Sequence, residues 1–133
     1  VQPDDTPPRP DSVYAAIGGA PAFERLVAAF YTEVEADPVL RAIYPEEDLV
    51  AAQERLRLFL IQYWGGPETY SDQRGHPRLR MRHAPFAINA AARDAWLTAM
   101  RKALDTLDLP PNYDKVMWDY FSNAADALRN LPG

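Results

Sequence analysis

The sequence contains no cysteine. Disulfides, thiolate catalysis, iron–sulfur clusters and cysteine-based zinc sites are thereby excluded. Histidine is nearly as scarce, with only His76 and His83. Structural zinc sites want four ligands from Cys, His and carboxylates, so zinc is disfavoured on any ligand set. Positive charge is in deficit: 14 Lys and Arg stand against 19 Asp and Glu, a net charge of −5. That balance argues against a nucleic-acid footprint, which usually makes a domain basic, although it leaves room for a local basic patch. No apolar run approaches the ~20 residues that a membrane span requires. Val1 to Asp11 has neither a basic start nor an apolar segment, so it does not read as a secretory signal. The cytoplasm is the compartment expected by default. The chain begins at Val1 rather than Met, which leaves a preceding segment open.

What is present is a single domain's worth of apolar sequence. The 133 residues carry no internal repeat, and 47% of them are apolar. A chain of this length buries roughly two-thirds of its unfolded surface. Residues 1–11 hold Pro3, Pro7, Pro8 and Pro10 with almost nothing apolar and read as a flexible tail, leaving 12–133 as the folded domain. Ser12 is placed to cap a short helix over Val13–Ile17, which Gly18-Gly19 breaks. Pro21 suits the first turn of the next helix. There Phe23, Leu26, Val27, Phe30, Tyr31 and Val34 recur at helical spacing. Asp37-Pro38 ends it, and a helical turn over Val39–Ile43 leads to Tyr44-Pro45.

A third long pattern covers about Asp48 to Tyr63, with Leu49, Ala52, Leu56, Phe59, Leu60 and Tyr63 inward and Leu58 and Ile61 widening the face. Gly65-Gly66-Pro67 stops it, and Glu68 to Pro77 reads as a loop. Arg78–His83 has room for little more than a turn and a half, because Pro85 disfavours helix at Ala84. Asn89 is placed to cap a helix over about Ala90–Leu107, with Ala92, Trp96, Ala99, Met100, Ala103, Leu104 and Leu107 inward. After Pro110-Pro111, Asn112 is placed to cap a last helix with a stripe of Val116, Tyr120, Ala124, Ala127, Leu128 and Leu131. No stretch alternates at period two for long enough to make a strand. The expected class is all-α, with four long helices and several short ones.

The chemistry concentrates in Gly75-His76-Pro77-Arg78-Leu79-Arg80-Met81-Arg82-His83-Ala84-Pro85-Phe86, which holds both histidines. A lone histidine is more often a surface or satisfied core residue. Here three features point elsewhere. His83 lies on a short segment pinned between Pro77 and Pro85. Leu79, Met81 and Phe86 could form an apolar wall around it. Arg78, Arg80 and Arg82 flank it, and arginine forks suit carboxylates. One imidazole for iron, apolar walls for a ring and cations for two propionates is the mix that haem needs, so His83 is read as an iron ligand. The arginines could equally form a solvated face, and His76 is the competing ligand, more simply read as a brace in a loop. Tyr31, Tyr44 and Trp96 each sit on or beside a core-facing stripe and carry a hydrogen-bond donor. Each taken alone also fits a plain core aromatic whose polar atom finds a backbone partner.

The sequence resembles the group II truncated haemoglobins. The resemblance rests on the paired glycines Gly18-Gly19 and Gly65-Gly66, on Gln62-Tyr63-Trp64-Gly65-Gly66-Pro67, on Tyr70-Ser71, and on the run from Gly75 to Phe86. It covers about Ser12 to Leu131. It implies a two-over-two helical sandwich around haem b, with His83 as proximal ligand and Tyr31, Tyr44 and Trp96 on the distal side. It places Ala52 and Leu56 on the distal helix, and it matches Arg55 and Arg82 to positions that reach the propionates. Ala52 leaves no distal histidine there, and Tyr44 in its corner puts the chain in the tyrosine-bearing branch.

Iron-bound dioxygen carries partial negative charge, and donors aimed at it stabilise the bound state. Three donors would hold dioxygen tightly, which suits oxygen transport poorly and chemistry on the bound ligand better. The expected function is therefore a haem protein binding dioxygen, with carbon monoxide, nitric oxide and peroxide as further ligands. Nitric oxide dioxygenation or peroxidase-like turnover would follow, fed by a reductase that the sequence does not identify. A gas sensor, an oxygen store without turnover and a cofactor-free helical module are the alternatives. No nucleic-acid or membrane partner is expected, and homo-oligomerisation stays open.

Overall fold

A computed structural model of the chain describes residues 10–44, 49–75 and 89–128. Seven helices occupy them: α1 (Pro10–Ala16), α2 (Ala20–Ala36), α3 (Pro38–Arg41), α4 (Val50–Tyr63), α5 (Thr69–Arg74), α6 (Ala90–Asp105) and α7 (Pro111–Leu128). No strand occurs among the described residues. The helix α2 packs on both α4 and α6, and α7 packs on α6. The result is a two-over-two sandwich of the four long helices, with the short ones at its corners. No helix among the described residues is long and apolar enough to cross a membrane.

The helix α2 is the spine because its apolar residues fall on one broad face. Phe23, Leu26, Val27, Phe30, Tyr31 and Val34 are all buried, as the spacing predicts. From α6, Ala99, Met100, Ala103 and Leu104 meet this face within one core. Small alanines on α6 let the two helices approach closely, and the larger side chains fill the space between them. Asn89 caps α6 through Ala92 N at 2.9 Å, as expected. Around the core, charged pairs tie helices together. Arg101 binds Asp105 and Asp114 and lies 4.9 Å from the centre of the Trp118 ring, and Arg93 reaches Asp126 at 2.6 Å.

Five expectations from sequence are corrected. The first helix begins at Pro10, so Ser12 lies inside it rather than at its cap; proline is at home in a first helical turn. Glu68–Pro77 is not all loop, since Thr69–Arg74 forms α5. Its sequence is too short and polar to show periodicity. What holds it is a two-way clamp: Gln62 Nε2 donates to Ser71 Oγ at 2.7 Å, and Ser71 N donates to Gln62 Oε1 at 2.9 Å. The last helix begins at Pro111, so Asn112 is within it, and the Pro110 carbonyl accepts from Tyr113 N and Asp114 N. The buried stripe of α7 is Met117, Phe121 and Ala125, one residue on from the stripe expected. Val116, Tyr120, Ala124 and Leu128 are half-buried at its edge and Ala127 is exposed, while Leu131 lies outside the described residues. On α4, Tyr63, expected on the inner face, sits at the exposed margin, while Ile61 is buried as expected.

The corner after α4 shows why two glycines are needed. Gly65 has φ 102°, a left-handed conformation that glycine adopts without Cβ strain. Gly66 is constrained by space. A Cβ there would lie 2.6 Å from Ile61 Cγ2 and 2.7 Å from Tyr14 Cδ1. The bare backbone lets the Tyr14 ring from α1 lie against the turn, and Tyr14 N donates to the Trp64 carbonyl at 2.8 Å.

Candidate functional site

Three separate elements deliver the polar aromatics singled out from sequence. Tyr31 comes from the buried face of α2 and is 3% exposed. Trp96 comes from the second turn of α6, and Tyr44 from the corner after α3. That corner is built by side chains. Asp37 accepts from Val39 N at 2.9 Å to start α3, and Arg41 Nη1 donates to the Tyr44 carbonyl at 2.8 Å. The Tyr31 and Tyr44 rings meet edge to face with centroids 5.5 Å apart. Phe30 joins Tyr31 to Trp96, with its centroid 5.1 Å from the first and 5.3 Å from the second. The three donors thus belong to one cluster, in edge and tilted contacts that suit the aromatic quadrupole.

The helix α4 contributes the small and apolar members. Ala52 is buried beside Leu49, and Leu56 packs against the same core at partial exposure. Arg55 is half-buried one residue before Leu56. His83, His76, Arg82, Leu79, Met81 and Phe86 lie outside the described residues. Two participants were not singled out from sequence. Phe30 and Phe121 flank Trp96, the latter at 5.9 Å. Phe30 was legible as a neighbour of Tyr31 on the stripe of α2, whereas Phe121 was hidden by the shifted reading of α7.

A second aromatic cluster adjoins the first. Trp64, 1% exposed, contacts Tyr63 at 4.8 Å and Tyr120 at 5.3 Å, and Tyr63 lies 4.1 Å from Tyr120. Burial pushes the phenol of Tyr120 well above the ordinary tyrosine value, with the neighbouring Tyr63 adding to the effect. Burial raises Tyr63 as well. The Trp64 Nε1 has no hydrogen-bond partner among the described residues.

The first cluster can donate hydrogen bonds, and it does so from an apolar wall. Its members offer no carboxylate, thiolate or imidazole. No group of three or more His, Cys, Asp or Glu among the described residues could hold a metal ion. Neutral donors gathered at the edge of an apolar core, with Arg55 on α4, fit the ligand side of a flat apolar macrocycle bearing carboxylates.

Long helices crossing in two pairs over such a wall define a trimmed globin. The family model of the bacterial-like globins matches residues 12–130. The Group 2 truncated hemoglobin YjbI of Bacillus subtilis (strain 168) is 43% identical over 96 residues, 72% of this chain and 71% of that protein. The thermostable hemoglobin of the actinobacterium Thermobifida fusca superposes with a TM-score of 0.90 at 58% identity, covering 92% of this chain and 99% of that one. The truncated oxygen-avid haemoglobin from Bacillus subtilis superposes with a TM-score of 0.84 at 36% identity, covering 90% and 99%. The chain belongs to the bacterial-like globin family and, within it, to the group II truncated haemoglobins. Membership implies haem binding.

Proposed function

We propose that the chain binds haem b through His83, with Arg55 and Arg82 toward the propionates, and holds dioxygen tightly through Trp96, Tyr31 and Tyr44. Oxidative chemistry on the bound ligand, such as nitric oxide dioxygenation or peroxidase-like turnover, would follow in the cytoplasm with electrons from a separate reductase. The observation that carries this reading is the convergence of Tyr31, Tyr44 and Trp96, from three elements, beside a buried Ala52. A solved relative from Bacillus subtilis carries the description oxygen-avid.

Haem, when bound, supplies the iron on which diatomic ligands sit. The chain's own residues decide how long they stay. An indole N–H only donates, so Trp96 has one use toward a partly negative ligand. A phenol both donates and accepts, so Tyr31 and Tyr44 can pass a hydrogen bond between them and reorganise. Ala52 adds no competing imidazole and leaves room beside the donors. Phe30 and Leu49 exclude water, which strengthens each remaining hydrogen bond.

Stopped-flow release of dioxygen and carbon monoxide tests the reading. A hydrogen bond to a charged acceptor is worth roughly 1.5–3 kcal/mol, and each ~1.4 kcal/mol is about tenfold. Trp96→Phe is expected to speed dioxygen release about ten- to a hundredfold, with much less effect on carbon monoxide, which is far less polarised. Tyr31→Phe and Tyr44→Phe are expected to be smaller and non-additive. Equal acceleration of both gases would show that the rings act by bulk and would remove the donor mechanism. His83→Gly is expected to lose the haem spectrum and regain it with added imidazole, while His76→Ala keeps it. The reverse pattern would overturn the ligand assignment.

A further inference from the structure

The two aromatic clusters form one unbroken series of rings. From Tyr44 the centroids step 5.5 Å to Tyr31, 5.1 Å to Phe30, 5.3 Å to Trp96, 5.9 Å to Phe121, 5.6 Å to Tyr120 and 4.1 Å to Tyr63. Trp64 closes a triangle at the far end, touching both Tyr120 and Tyr63. The series begins at the donors assigned above and reaches the surface at Tyr63, its one exposed member at 36%; beyond Tyr63, Phe59 leads only to the buried Tyr70. Packing alone explains rings in contact. What distinguishes this path is that it joins the buried donor cluster to a phenol that water reaches.

Electron transfer falls off exponentially with distance, so a series of touching rings conducts where one long jump would not. We propose that this series carries an oxidising equivalent from the ligand side of the haem to Tyr63, where a small phenol- or ascorbate-class donor discharges it. The proposal rests on the haem reading above and adds to it a route and an exit.

Hydrogen peroxide, the oxidant, takes two electrons and two protons and leaves as two waters. Haem, if bound, would supply one electron, and Trp96, the indole of the donor cluster, would supply the second. An electron from Tyr63, passed by way of Tyr120, would then refill Trp96. Phe121 is too hard to oxidise and serves only as the contact bridge between them. The vacancy rests where a proton can leave, because an oxidised phenol is a strong acid. Tyr120 is poorly placed for that, since its ring is half-buried between Trp64 and Tyr63. Trp64 is no better placed, for its Nε1 has no acceptor among the described residues. Tyr63 faces water, loses its proton there and becomes a neutral phenoxyl radical. One donor molecule returns a hydrogen atom and restores the phenol, and a second donor molecule would return the electron and proton owed at the haem.

The test uses haem-loaded full chain treated with equimolar hydrogen peroxide and a nitroso spin trap, followed by peptide mass spectrometry. The expected result is a trap adduct on Tyr63 and none on Tyr113, which shares no ring contact with the series among the described residues. Ascorbate added before the trap should abolish the adduct. Phe121→Leu keeps an apolar side chain but removes the bridge, and is expected to lose the Tyr63 adduct while adducts appear on Trp96 or Tyr31. Tyr63→Phe is expected to lose the adduct with dioxygen release unchanged. An undiminished Tyr63 adduct in Phe121→Leu, equal labelling of Tyr113, or labelling of Tyr63 in haem-free protein would overturn the relay. A normal haem spectrum with no Tyr63 adduct would sink the relay and leave the haem reading intact. Failure to take up haem at all would sink the reading beneath it.

Discussion

The rings around Trp64 and the rings around Trp96 come from the same short list of residue types, yet the chain treats the two indoles differently. Trp64 sits in a corner whose backbone is fixed from several sides. Its amide donates to Leu60, its carbonyl accepts from Tyr14, and Gly66 behind it admits no side chain. Its own Nε1 is left without a partner among the described residues. Trp96 stands mid-helix and half-buried, positioned by the Phe30 and Phe121 rings. One indole is used for its volume and its N–H is spent on nothing visible. The other is kept at the edge of the core, where an N–H is useful. The position of an aromatic within its backbone, more than its identity, separates a packing role from a chemical one.

Substitutions at the corner should change stability and leave ligand release alone, with the opposite pattern for Trp96. The largest effect is expected for Trp64→Ala. Emptying a buried tryptophan site costs about 3–5 kcal/mol, read as a lowered midpoint of denaturant unfolding. Trp64→Phe should cost less, because it also removes an unpartnered buried donor, which itself carries a penalty of about 1–3 kcal/mol. If Trp64→Phe were the worse of the two, the Nε1 would have a partner that matters. Gly66→Ala comes next. Overpacking costs typically about 1–3 kcal/mol, and Tyr14→Ala in the same chain should recover part of it by vacating the space. Dioxygen release from Gly66→Ala should match the unaltered protein. A changed release rate would show that the corner is coupled to the ligand side.

The smallest effect concerns alkaline pH. Burial raises the folded-state pKa of Tyr63 and Tyr120 above the ordinary 10.0. Below that ordinary value both folded and unfolded chains keep these protons, and the full stability is present. Above it the unfolded chain sheds protons that the native one retains, so stability falls as pH rises toward the folded values. Unfolding midpoints measured across that range should drop more steeply for the parent than for Tyr120→Phe, with Tyr63→Phe in between. Parallel slopes for all three would mean that the pair does not contribute.

Much of this arrangement was legible before any coordinates. The period of α2 and α6 is strong because large apolar residues recur on one side and charges on the other, and Asn89 marks a start that the backbone then uses. What escaped did so for physical reasons. In α7, Val116 and Met117 are adjacent apolar residues, and so are Tyr120 and Phe121. Periodicity accepts either register, and only packing against α6 selects Met117 and Phe121. In α5 the stabilising contact is Gln62 with Ser71, a tertiary clamp with no local signature. The polar aromatics were recognised as candidates one at a time. Their assembly through Phe30 depends on how α2, α3 and α6 meet, which spacing alone does not encode. The histidine run that first suggested haem lies outside the described residues.

The contact of Tyr14 with the Trp64 corner also has a consequence in time. A nascent chain presents α1 early, but the carbonyl that anchors it and the bare turn that receives its ring are made much later. Until α4 and its two glycines have emerged, Tyr14 has nothing to close on, and the long loop between them must be gathered first. Of α1 and α4, the helix made earlier is thus the one that waits to be locked. Lengthening the segment before Tyr14 should leave early folding untouched, whereas blocking the corner should stall its final step.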